Sequence, residues 1–126
     1  MNAATAPAGQ LAVLLQDTAD GMPADLAAIR LLIRHGYLLH RPAFRRIITA
    51  GSSARTGEPV AVIRWRAAIW ALDHGLLPCS ASEQAILQIA ASIGDDDIGV
   101  HLRQVLAGLD RRDIALVTAA LAAAHG

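Results

Sequence analysis

Eight arginines, Arg30, Arg34, Arg41, Arg45, Arg46, Arg55, Arg64 and Arg66, fall between positions 30 and 66 against a single acid, Glu58. A guanidinium is planar, permanently charged and able to grip a phosphate with two parallel hydrogen bonds, so such a cluster is suited to nucleic acid. The segment carries a net +7 and the remainder of the chain −7, three arginines against ten acids. That asymmetry fits an anionic partner, or two opposed faces of one molecule that attract each other. All eleven basic residues are Arg and none is Lys, the pattern of a GC-rich coding sequence, so an Arg-rich surface by itself carries little functional weight.

Two other groups could make contacts. Trp70 shares a predicted helix face with Arg66 and His74, each four residues away, and Trp and Arg are the types most enriched at binding hot spots. Ala115, Thr118, Ala119 and Ala122 form a stripe of small residues on the last predicted helix, a surface on which a second helix can approach closely.

Signals for chemistry are sparse. Asp95, Asp96 and Asp97 stand in a row but lack the alternating ligands, central Gly and terminal Glu of an EF-hand. The five histidines (35, 40, 74, 101 and 125) form no H-x-x-x-H pair, and a lone Cys79 excludes a disulfide framework or a cysteine zinc site. Neither G-x-S-x-G nor a phosphate-binding glycine loop occurs. No enzyme, no cofactor and no metal is expected.

The elements that must position these groups are helical. Ser80-x-x-Glu83 is a capping box, Gly94 closes the run, and Ile86, Ile89, Ala90 and Ile93 recur at helical spacing between them. Only Gln84, Gln88 and Ser92 interrupt the apolar circumference, which predicts a central helix covered on several sides. Further helices are predicted from Gln10 to about Thr18, from Pro23 to about His35, from Pro42 to Ala50, from Arg66 to His74, over about 99–107, and from an Asp110 cap to about Ala124. Expected core residues include Phe44, Ile47 and Ile48 in the third of these, Leu102, Val105 and Leu106 in the fifth, and Ile114, Val117 and Leu121 in the last. Gly51 to Pro59 reads as a loop, and Val60 to Trp65 as a short β-branched segment.

The fold expected is all-α: a compact orthogonal bundle of five to six helices with at most one short β element near 60–65. Residues 1–8 are expected to be disordered and 9–126 to form one helical domain. No apolar run approaches a membrane span, and the N-terminal MNAATAPAGQ lacks the positive region of a signal peptide, so a cytoplasmic location is expected.

Two resemblances bear on DNA. Ala90, Gly94 and Val100 match the Ala, Gly and Val spacing of the helix-turn-helix of prokaryotic repressors, but Asp95–Asp97 would meet phosphates and Arg103 stands where that motif is apolar. The basic segment looks loosely like a winged helix, with Pro42–Ala50 as reader and Gly51–Trp65 as a wing carrying Arg55 and Arg64. The function expected is a non-enzymatic binding or regulatory module acting through protein contacts and self-associating, with Trp70, Arg66 and the small-residue face as its contacts. A two-fold dimer is the commonest arrangement for a bacterial homo-oligomer. DNA binding through residues 30–66 is the alternative.

Overall fold

The structure, a computed structural model, describes residues 2–126. Among these the chain is mostly helical: α1 (Ala8–Thr18), α2 (Pro23–His35), α3 (Pro42–Arg45), α4 (Trp65–Asp73), α5 (Ala81–Gly94), α6 (Leu102–Ala107) and α7 (Arg111–His125), with one antiparallel hairpin of β1 (Ile48–Ser52) and β2 (Pro59–Ile63). A short 3-10 turn at Leu38–His40 links α2 to α3.

Two helices open with the same reciprocal device. At α5 the Ser80 hydroxyl accepts from the Glu83 N–H while the Glu83 carboxylate accepts from the Ser80 N–H; at α7 Asp110 and Asp113 repeat the exchange. Each box satisfies two N–H groups that a helix start leaves without partners. Burial pushes the Glu83 carboxyl up, but the hydrogen bonds with Ser80 and the Arg41 guanidinium 2.9 Å away outweigh it and hold the group below the usual carboxylate range.

The centre is shared by α2 and α5. α2 packs against both α5 and α7, while α5 also meets α4 and α6. Ala28, Leu31 and Leu32 of α2 and Ile86, Leu87 and Ala90 of α5 are buried, and one continuous core joins them to Leu11 and Leu15 of α1, Phe44, and Ile48 and Ile63 of the hairpin. Burying each such large side chain stabilises the fold by about 1.5–3 kcal/mol before the cost of ordering the chain. Gly36 ends α2 in the left-handed conformation (φ 97°), as its position after the last periodic residue predicts.

Several expectations need correction. The predicted third helix stops after one turn, and Ile48, Thr49 and Ala50 continue as β1. A β-branched run beside Gly51 and Ser52 suits a pleated strand, and a partner is at hand in Val60–Ile63. Ile48, Ala61 and Ile63 turn inward, while Thr49 and Val62 face out. The Thr18 hydroxyl fastens the hairpin to α1 by accepting from the Ala61 N–H at 3.0 Å. The chain is thus mostly helical with one hairpin: β2 falls where the short β element near 60–65 was expected, and β1 is what the expectation lacked. Residues 2–6, expected to be disordered, form a turn in which Ala3 and Ala6 are buried; Met1 lies outside the described residues. Gly94 is the last helical residue of α5 and has no left-handed φ. Its role is close approach: a Cβ there would sit 2.4 Å from Trp65 Nε1.

Candidate protein-interaction surface

α7 is held at its N-terminus. Arg112 donates to the Arg34 carbonyl at 2.7 Å, satisfying an end carbonyl of α2, and the Ser82 hydroxyl donates to Asp113 Oδ2 at 2.8 Å. Asp113 and Ala120 are buried, and Leu116 and Val117 pack half-buried against the core. The helix therefore turns inward through residues 113, 116 and 120. Ile114 and Leu121, expected in the core, are 41% and 56% exposed. Ala115, Thr118, Ala119 and Ala122, the small residues singled out in the sequence, are all exposed as well. Thr118 donates its hydroxyl to the Ile114 carbonyl at 2.8 Å, so its polar atom is satisfied within the helix. The result is an outward face with large and small apolar side chains and no charged residue between Ile114 and Ala124.

α6 repeats the pattern on a smaller scale. Val105 is buried, whereas Leu102 and Leu106, predicted inside, are 61% and 47% exposed. Six residues make too short a helix to bury more than one stripe against α5.

Trp70 is exposed, as its polar-side position implies, and stacks on His74 with ring centroids 4.1 Å apart. Arg66 is drawn the other way. It pairs with Asp95 at 3.1 Å and with Asp97, and these carboxylates raise its pKa further. The Asp97 N–H and the Arg66 guanidinium together hold the Asp95 carboxyl below its ordinary value. The acidic turn is thus Arg66's partner, while Trp70 stacks on His74.

The basic segment is largely spent on the fold. Arg41 pairs with Glu83, Arg45 donates to the carbonyls of Leu39 (2.7 Å) and Ala6 (2.8 Å), and Arg64 donates to those of Ile47 and Arg46, both at 3.1 Å. Arg30 reaches Gln16 at 3.4 Å. Of the eight arginines in this segment, Arg34, Arg46 and Arg55 make no side-chain hydrogen bond among the described residues, and all three are exposed. A hairpin does stand where a wing would, with Arg55 in its connecting loop, but the proposed reader α3 has four residues, with Phe44 in the core.

No protein-family model, no curated protein and no solved structure matches this chain.

One polar cluster escaped the sequence reading. His35 Nε2 lies 3.1 Å from Ser82 Oγ and 3.6 Å from Asp113 Oδ1, with His35 and Asp113 almost wholly buried. Serine, histidine and aspartate suggest nucleophilic chemistry, but the order of bonds is wrong for it. Ser82 gives its single proton to Asp113 and so accepts at most from His35, which leaves no imidazole lone pair to activate the hydroxyl. The cluster ties the end of α2 to the starts of α5 and α7. The second acid of D-x-x-D at 110–113 was a visible signal for part of it; the contact with His35 was not, since 78 residues separate them.

Proposed function

We propose that this protein is a small non-enzymatic binding module that works by protein–protein contact through the outward face of α7. The observation that carries this reading is the pair of large apolar side chains, Ile114 and Leu121, left open on a well-anchored helix and flanked by four exposed small residues. A contiguous apolar face on an otherwise soluble fold is where association releases most bound water. Lack of charge along the face supports the same reading, because charged groups are depleted at the centres of interfaces. The buried His35, Glu83 and Asp113 side chains, with Ser80, Ser82 and Asp110 beside them, are engaged in caps and helix junctions. DNA binding by residues 30–66 has less behind it, since Arg41, Arg45 and Arg64 brace the fold and the reader is one helical turn.

The test is a methyl-labelled sample observed in dilute solution and again with added extract from the native host. Ile114 and Leu121 signals should shift or broaden while those of Ile86 and Leu87 stay put, and Leu121→Arg should remove the response at Ile114. Responses confined to another surface would overturn the assignment.

A further inference from the structure

The two edges of the hairpin differ. In an antiparallel pair, alternate residues exchange hydrogen bonds with the partner strand, and those between them turn N–H and C=O the other way. The Arg64 N–H donates to the Ile47 carbonyl at 3.3 Å and the Ser53 N–H to the Glu58 carbonyl at 2.8 Å. With Ile48 opposite Ile63 and Ser52 opposite Pro59, the exchanging residues of β1 are therefore Thr49 and Gly51. Pro59, Ala61 and Ile63 face away from β1, and Ile48, Ala50 and Ser52 face away from β2. The β2 edge is closed: Pro59 has no N–H, the Ala61 N–H donates to Thr18, and α1 packs alongside. The β1 edge is open. Only β2 packs extensively on β1, and the outward backbone groups of Ile48, Ala50 and Ser52 meet no partner among the described residues. Charges and prolines ordinarily blunt such an edge, and β1, ITAGS, has neither.

We infer that the β1 edge docks an extended, acidic peptide segment of a partner protein, which adds a third strand to the hairpin. The backbone dictates the conformation of the guest. Three N–H and three C=O groups alternate along one line, and an extended chain meets them all in register. Charge dictates its chemistry. A groove of about 490 Å³ runs between β1 and the turn at residues 2–4, and its lining includes Arg45 and Arg46 but no carboxylate. Arg45 is fixed by the carbonyls of Leu39 and Ala6, which leave its charge uncompensated, and Arg46 is exposed without a side-chain hydrogen bond. Two guanidinium groups at one end of the strand attract carboxylates and repel a basic chain. Between positions 41 and 57 there are four arginines and no acid, so a second copy of β1 is repelled where an acidic strand is held. Ala3, Ala4 and Ala50 line the groove with small side chains, which leaves room for β-branched residues on the guest. This edge and the α7 face belong to different elements, and neither assignment depends on the other.

The test uses the whole protein and a displayed library of random dodecapeptides. Selected peptides should alternate β-branched residues and carry Asp or Glu. A synthetic copy of one should protect the Ile48, Ala50 and Ser52 amides from hydrogen exchange, while Thr49 and Gly51, already in the ladder, change little. Methylating one alternate set of the peptide's amides should abolish binding, and methylating the other set should not. Ala50→Pro, which removes the central donor of the edge, should also abolish it. Arg46→Glu should weaken binding about fivefold or more, with the largest difference at low salt. Four results would each overturn the inference: no peptide selected, protection that falls on other amides, binding indifferent to which amides are methylated, or basic peptides held as well as acidic ones. Protection of the same three amides that rises with protein concentration in the absence of peptide would also overturn it, making a second copy the occupant.

Discussion

α5 and α7 are built from nearly the same local instructions and end in opposite situations. They have 14 and 15 residues, both are rich in alanine, and each opens with a capping box whose acid is buried. Yet α5 buries Ala85, Ile86, Leu87, Ile89, Ala90 and Ala91, whereas of the apolar residues of α7 only Ala120 is fully buried. The cause is how many neighbours each has. α5 is covered by α2, α4, α6 and α7, while α7 rests in the angle between α2 and α5 with its far side open. Capping and propensity decide that a segment is helical and where it starts; what surrounds it decides which apolar residues become core and which remain available to bind.

The sharpest way to break this comparison is to place a charge on each helix. Ile89→Asp puts a carboxylate without a partner into the core and should abolish folding or cost several kcal/mol, whereas Ala119→Arg should change stability by no more than about 0.5 kcal/mol. Thermal melts followed by circular dichroism decide it, and similar losses in both variants would mean that α7 is covered after all. A middle-sized effect is expected at the end of α5. Gly94→Ala drives a methyl group into the Trp65 indole and should cost about 1–3 kcal/mol, with a change in tryptophan fluorescence. If Gly94 were only a helix terminator, the fluorescence would not move.

The smallest effect concerns the capping acid of α5. Glu83 has its pKa lowered in the folded protein, so the stability it contributes is present in full above its unfolded pKa, about 4.3, and is lost as pH falls through the folded value. Glu83→Gln should flatten the acid side of the stability–pH curve, by less than about 1 kcal/mol because Arg41 is half exposed. Denaturant midpoints at pH 7 and at about pH 3 should differ less in the variant than in the wild type.

Much of the helical skeleton was legible. Pro23 and Gly36 bracket α2, Ser80 and Glu83 start α5, and Asp110 starts α7, because caps and breakers act through the backbone of their own neighbours. The Pro42–Ala50 stretch misled because Phe44, Ile47 and Ile48 satisfy helical spacing as well as they satisfy a turn followed by a strand. The arginines misled for another reason. Charge counts locate a basic segment but are silent on whether a guanidinium reaches solvent or a carbonyl, and Arg45 and Arg64 reach carbonyls.

By itself, then, the sequence determined that the chain is helical, where its main helices begin, and that Ala115, Thr118, Ala119 and Ala122 share one side of the last. Those properties depend on residues within a few positions of one another. Only the tertiary structure decided that Ile114 and Leu121 lie outside the core, that Arg66 belongs to Asp95 and Asp97, and that Asp113 meets Ser82 and His35. α7 is apolar on most of its circumference, so periodicity could not choose its inward side. The choice fell to packing, which seats the narrow Asp113–Leu116–Ala120 edge against α2 and α5 and leaves the wider apolar face open.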